Sequence, residues 1–151
     1  MNVGDKLIKK ERDKQIYQFL VNNKNFSKRN EILDFGCGEG FIMEQLVNWG
    51  ADHEQLTGVD ISEKRIKKAK SRFESLRFLH ISDKIPFSDD KFTIIVISTV
   101  FSSIIGNSNR LFWAQEIDRV LKKGGAIIFY DMKVNNPFNF KTNKISKNEL
   151  K

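Results

Sequence analysis

The sequence predicts an α/β protein: a doubly wound, parallel sheet of about five strands with helices on both faces. Three observations carry this. From Glu31 onward, short apolar runs alternate with helical segments of ten to fifteen residues, the order expected when each strand returns through a helix. The runs are continuously apolar, as in strands covered on both faces. The first run opens into a helix through a glycine-rich turn, and in such sheets a ligand sits beyond the carboxyl ends of the strands, beside the first one.

The elements run in order along the chain. Residues 5–22 carry Leu7, Ile8, Ile16, Phe19 and Leu20 among charged residues, a spacing for one or two amphipathic helices that NNKNFSKRN then breaks. EILDF (31–35) reads as the first strand, GFIMEQLVNW (40–49) as a helix closed by Gly50, and LTGVD (56–60) as the second strand. Ser62 caps a helix to about Leu76 with Ile66, Ala69 and Phe73 on one face. RFLHI (77–81) is a third strand, IPFSDD (85–90) a turn, and FTIIVIS (92–98) a central strand. Asn109 to Lys123 brings Leu111, Phe112, Ile117, Val120 and Leu121 onto one helical stripe, with Gly124-Gly125 as its C-cap. AIIFYDM (126–132) is the fifth strand. The chain thus divides into an N-terminal helical segment (1–30), a core (31–132) and a polar, basic tail (133–151).

At 151 residues the chain suits one domain with a core of its own. Its single cysteine, Cys37, excludes an internal disulfide, and two histidines, His53 and His80, are too few for a zinc site. No apolar run reaches the length of a membrane span, and the charged N-terminus lacks a secretory leader's apolar stretch, so a cytoplasmic protein is expected. The net charge of +7 divides unevenly: +5 in residues 1–30, +4 in 133–151 and −2 between them. A basic excess confined to the ends reads as solvated lysine, which makes nucleic acid an unfavoured partner.

Chemistry concentrates after the first strand, in Asp34-Phe35-Gly36-Cys37-Gly38-Glu39-Gly40. Glycines let the backbone turn tightly and approach a ligand, and the helix that comes next begins with unpaired N–H groups. Asp60 ends the second strand twenty residues after Gly40, where a carboxylate can accept from both hydroxyls of a ribose. Together they point to an adenosine-containing cofactor. The dinucleotide fingerprint G-x-G-x-x-G is not met, because Phe41 stands at its third glycine. Asp34 and Glu39 place two acids around the loop, which favours a cationic cofactor over a diphosphate.

ILDFGCGEG (32–40), GVDIS (58–62), IPFSDDKF (85–92) and EIDRVLKKGG (116–125) with AIIFYD resemble the successive motifs of class I S-adenosylmethionine-dependent methyltransferases, over about residues 31–132. The resemblance implies a Rossmann-like sheet, S-adenosylmethionine as cofactor, and a binding set of Asp34, Phe35, Gly36, Cys37, Gly38, Asp60, Ile61, Ser82, Asp83 and Ser98. Asp34 and the backbone of Gly36 and Gly38 would hold the methionine end and Asp60 the ribose. Ile61 would pack on the adenine, Asp83 or Ser82 would meet its amino group, and Ser98 would line the pocket. Thr93 departs from the family by replacing an acid that is chiefly structural there.

No residue declares itself a catalytic base, since both histidines read as surface groups and Cys37 as a small buried filler. Ser98-Thr99-Val100-Phe101 stands where methylases of exocyclic amines carry Asn/Asp-Pro-Pro-aromatic, and Asn136-Pro137-Phe138 reads as a turn. YDMKVNNPFNFKTNKISKNEL (130–150) is similar to a stretch in methyltransferases encoded with bacterial surface-glycan genes, which implies a glycan or other small-molecule acceptor. The family's sheet has seven strands, so the chain reads as C-terminally truncated, lacking the last two strands and with strand 126–132 an edge open to self-association. Competing expectations are an RNA- or polyanion-binding methyltransferase, a non-catalytic remnant, and a nicotinamide oxidoreductase.

Overall fold

The structure is a computed structural model and describes residues 3–22 and 27–131. Its elements are α1 (Val3–Asn22), β1 (Ile32–Phe35), α2 (Phe41–Asn48), β2 (Leu56–Asp60), α3 (Glu63–Arg72), β3 (Arg77–His80), β4 (Phe92–Ser98), α4 (Asn107–Val120) and β5 (Leu121–Tyr130), with single 3-10 turns at His53–Gln55 and Phe101–Ser103. The five strands are parallel and lie in the order β3-β2-β1-β4-β5. The direction of crossover reverses at β1, between β2 and β4, and the crevice at their carboxyl ends is the switch point at which such sheets bind ligands.

The sheet divides two apolar layers. On one face Ile16 and Leu20 of α1, Met43 and Leu46 of α2 and Ile66 and Ala69 of α3 pack on Ile32, Leu56, Phe78, Ile94 and Val96. On the other, Trp113, Ile117 and Val120 of α4 pack on Leu33, Phe35, Val59, Ile95 and Ile97. β1 and β2 are buried at every position, their polar Asp34, Thr57 and Asp60 included. Gly58 is required where it sits: a Cβ there would stand 2.5 Å from the Met43 Sδ and 2.9 Å from the Cys37 Sγ.

Several expected boundaries move. The N-terminal segment is one helix, of whose expected apolar face only Ile16 and Leu20 are buried, while Leu7, Ile8 and Phe19 are exposed. α3 stops at Arg72, its N-cap Ser62 accepting from the Arg65 N–H at 3.4 Å. The last helix ends at Val120, and Leu121 already pairs with Phe92 in the sheet. The pairing then jumps from Phe92–Leu121 to Ile94–Ala126, so residues between them form a bulge. Gly124, at φ 76°, supplies the left-handed turn of that bulge and not a helix cap. The tail, with Asn136-Pro137-Phe138, and Met132 of the expected fifth strand lie outside the described residues.

Arg119 of α4 ties the loop before β4 to the helix. Its guanidinium donates to the carbonyls of Ile85 (2.9 Å) and Phe87 (2.8 Å), to Asp89 Oδ1 (3.0 Å) and to both oxygens of Glu116 (2.8 Å each), while Glu116 Oε2 accepts from the Ile85 N–H at 2.8 Å. Arg119→Ala is expected to cost about 2 kcal/mol in chemical denaturation, because it strands two carbonyls and a carboxylate. A loss of under about 0.5 kcal/mol, the range of ordinary surface substitutions, would contradict this role.

One expected detail finds its partners. Thr93 Oγ1 donates to the Glu31 carbonyl at 3.1 Å and accepts from Asn30 Nδ2 at 3.1 Å, so it fastens the start of β4 to the approach of β1 without an acid. No helix among the described residues is long and apolar enough to cross a membrane.

Candidate cofactor-binding site

A cavity of about 500 Å³ opens at the carboxyl ends of β1, β2 and β4. Of the expected residues, Phe35, Gly36, Cys37, Gly38, Asp60, Ile61 and Ser98 line it. Asp34 lies just beneath, 1% exposed, between Gly58 of β2 and Val96 of β4. Ser82 and Asp83 do not line it: both are exposed, and the Ser82 hydroxyl donates to Asp83 Oδ1 at 3.3 Å. Ile81 takes the place on the wall, drawn in by its N–H bond to the Asp60 carbonyl at 3.1 Å.

The glycine loop spends its donors internally. The N–H groups of Gly36 and Cys37 both donate to the Val59 carbonyl, at 2.8 and 2.9 Å, that of Gly40 donates to the Cys37 carbonyl at 3.0 Å, and that of Gly38 to Asp60 Oδ2 at 2.9 Å. Asp60 Oδ1 accepts from the Ser62 N–H at 2.7 Å, so one carboxylate holds the loop and the entry to α3 together. A diphosphate needs such N–H groups free. What the loop retains as backbone acceptors are carbonyl oxygens, which suit an ammonium.

The glycines divide the work. Gly36, at φ 76°, lies under Val100, and a Cβ on it would meet Val100 Cγ2 at 2.3 Å. Gly38, at φ 57°, has nothing within 4 Å of where its Cβ would be, and it lines the cavity. The bare side of Gly38 is therefore a cradle that a side chain would fill.

Two buried acids, Asp34 and Asp60, lie at the centre of the site, with the cations Lys9, Arg12 and Arg65 on its outer wall. Burial pushes the Asp34 carboxyl up to about 7 against the opposing pull of the Arg12 guanidinium, with Asp60 adding to the rise. Asp34 Oδ2 has no hydrogen-bond partner among the described residues, nor does the buried hydroxyl of Ser98. Such groups call for a ligand that supplies positive charge and hydrogen bonds. Glu39 corrects the sequence expectation: it does not line the cavity but turns to α3, pairing with Lys68 (2.9 Å) and Arg72 (3.7 Å). The Lys68 hydrogen bond holds its carboxyl below the ordinary range. The cationic preference therefore rests on Asp34 with Asp60.

Cys37 is a buried filler as expected, its thiol pushed far up by burial and by Asp34 and Asp60, and so neutral. Neither His53 nor His80 lines the cavity. His80 Nε2 lies 3.1 Å from the Ile61 carbonyl and holds the turn after β2. Sequence reasoning missed the wall contributed by helices: Lys9 and Arg12 of α1, Phe41 and Ile42 of α2, and Val100, Ile104, Ile105 and Trp113 beyond β4. Arg12 is fixed by Asp13, whose Oδ1 accepts from its Nε (2.9 Å) and a terminal nitrogen (2.6 Å).

Asp34, Asp60, the Gly38 cradle and the unpartnered Ser98 hydroxyl fit a nucleoside that carries a cationic amino-acid arm, which describes S-adenosylmethionine. Comparison with known proteins agrees. Residues 33–129 match a methyltransferase domain family. The chain is 31% identical over 142 residues to sterol 4-C-methyltransferase of Caenorhabditis elegans, across 87% of this chain and 39% of that protein. It is 30% identical over 104 residues to demethylmenaquinone methyltransferase of Thermotoga maritima, across 68% of this chain and 43% of that protein. Among solved structures, a SAM-dependent methyltransferase of Methanosarcina mazei superposes with a TM-score of 0.63 at 26% identity, over 71% of this chain and 54% of that one. The chain spans about two-fifths of the length of these curated relatives. Because the family match runs unbroken from β1 to β5, across the whole sheet and the cavity at its edge, this chain belongs to the S-adenosylmethionine-dependent methyltransferase domains.

Proposed function

We propose that this domain binds S-adenosylmethionine across the ends of β1 and β2 and transfers its methyl group to a small-molecule acceptor beside β4. The observation that carries the reading is the pair of buried acids, Asp34 and Asp60, around a glycine loop in which the N–H groups of Gly36, Cys37, Gly38 and Gly40 are already spent. When bound, the cofactor supplies an electrophilic methyl on a sulfonium. There the acceptor's lone pair would take the methyl carbon as the carbon–sulfur electron pair returned to sulfur, and the acceptor's proton would be lost to solvent. The chain's part is placement: Asp60 is positioned for the ribose hydroxyls, Ile61 and Ile81 for the adenine faces, and Asp34 with the loop for the cationic arm. Names of relatives support a small-molecule acceptor, since they include a sterol and a demethylmenaquinone methyltransferase. A glycan acceptor rests on residues 130–150 alone.

Incubation with S-adenosylmethionine labelled in its methyl, and a small-molecule extract as acceptor pool, tests turnover. Label in a low-mass product is expected. Label that stays wholly in the cofactor, in a sample that binds S-adenosylhomocysteine, would leave a non-catalytic remnant. A polyanion reading has one observation in its favour, the lysines Lys6, Lys9, Lys10 and Lys14 around the Tyr17–Trp49 ring pair. Steeply salt-dependent RNA binding would support it.

We also propose a reducing, cytoplasmic setting, in keeping with the single buried thiol, and pairing of a second copy along the outer edge of β5, where Ile127 is 43% exposed. A single monomeric mass at high concentration would remove the pairing.

A further inference from the structure

The acceptor side of the cavity has its own chemistry, and the acceptor class it selects rests on the cofactor reading. Every charged side chain on the cavity wall comes from α1, β2 or α3: Lys9, Arg12, Asp60 and Arg65. The wall beyond β4, by contrast, is uncharged, with Val100, Ile104, Ile105 and Trp113 as its apolar members and Thr99, Ser103 and Asn109 as its polar ones. Ile105 is 69% exposed at the rim, and Ile61 across the mouth is 66% exposed.

This wall is built. The Ile104 carbonyl accepts from Arg110 Nε at 3.1 Å and the Ile105 carbonyl from Asn109 Nδ2 at 2.9 Å, so the first turn of α4 fixes the backbone that presents both isoleucines. Thr99, a β-branched residue at φ 55°, holds the left-handed bend that starts the segment, with its N–H on the Tyr130 carbonyl at 2.7 Å. Strain of this kind concentrates at functional sites. Asn109 spends a donor on the loop, and Trp113 is too buried, at 9% exposed, to offer a ring face. A sugar would meet few partners on this wall, and an ionised acceptor would meet no countercharge on it, the cations Lys9, Arg12 and Arg65 lying on the other walls.

We propose that the acceptor is an uncharged, hydrocarbon-rich molecule whose apolar body lies on Ile104, Ile105 and Val100, with its reacting group toward the Ser98 end of β4. Ile105, exposed at a fixed rim, with the half-buried Val100 and Ile104 beneath it, is surface that such a ligand removes from water.

The test uses the full chain, with 2-naphthol and methyl glucoside as probes, titrated with and without saturating S-adenosylhomocysteine. Naphthol is expected to bind and glucoside to give no saturable signal. Ile105→Asp, at an exposed position the fold tolerates, should weaken naphthol about tenfold, and S-adenosylhomocysteine by less than about threefold. Leu111→Asp, on α4 outside the cavity, should change neither. Glucoside binding as tightly as naphthol, or naphthol binding indifferent to Ile105→Asp, overturns the proposal. Absence of S-adenosylhomocysteine binding overturns the cofactor reading instead, and the titration without it still tests the wall.

Discussion

Asp34→Asn is expected to make the ligand-free protein more stable at pH 8 and a poorer binder of S-adenosylmethionine. In the folded chain the Asp34 carboxyl titrates at about 7, raised from 3.8 mainly by burial. A raised acid favours folding when protonated, so its contribution is complete below pH 4 and is lost as pH rises through 7. Above that, the fold carries an ionised carboxylate with an unpartnered oxygen. Removing that charge should stabilise by about 3 kcal/mol more at pH 8 than at pH 5, and by little below pH 4, read by denaturation at each pH. Binding runs the other way. A cationic arm needs the ionised form, so wild-type affinity should rise about tenfold between pH 6 and pH 8, and the Asn variant should bind weakly with a flat profile. A wild-type profile flat across that interval, or an Asn variant less stable at pH 8, contradicts the assignment.

The two loop glycines should fail in different ways. Gly36→Ala places a Cβ 2.3 Å from Val100 Cγ2 at a φ of 76°, so both crowding and backbone strain oppose it and a loss of about 3 kcal/mol in stability is expected. Gly38→Ala meets no protein atom within 4 Å, leaving only the left-handed conformation to cost about 1 kcal/mol. Its Cβ would instead fill the cradle, and affinity for S-adenosylhomocysteine should fall at least about tenfold in a protein that still melts cooperatively. Melting curves and titrations on the same samples separate these outcomes. Equal loss of folding in both variants would remove the division of labour.

Much of the fold was legible because the buried strands wrote their environment into their composition. FTIIVIS has no polar residue facing water that could be mistaken for an alternating strand, and β4 occupies those seven residues. The α4–β5 junction was not legible, because Leu121 belongs to the same apolar stripe as Val120, and Gly124 satisfies a bulge as well as a cap. In the site, the loop and Asp60 could be read since strand, turn and helix are contiguous. Glu39 could not, because its direction is decided by Lys68 and Arg72, some thirty residues on. Arg12, Ile104 and Trp113 reach the cavity from helices and turns remote in the chain, and no local spacing distinguishes a cavity-lining side chain from a solvated or a core one. That Ile81 and not Ser82 or Asp83 lines the cavity is likewise a matter of how the chain leaves β3, with the Ile81 N–H on the Asp60 carbonyl.

The most direct measurement is an isothermal titration of the folded chain with S-adenosylhomocysteine, alongside Asp60→Ala and with NADH as the competing cofactor. One site per chain with micromolar affinity, about tenfold weaker or worse in Asp60→Ala, and no heat from NADH is the predicted result. No heat from S-adenosylhomocysteine at millimolar concentration, in a sample whose circular dichroism shows the α/β fold, would contradict it.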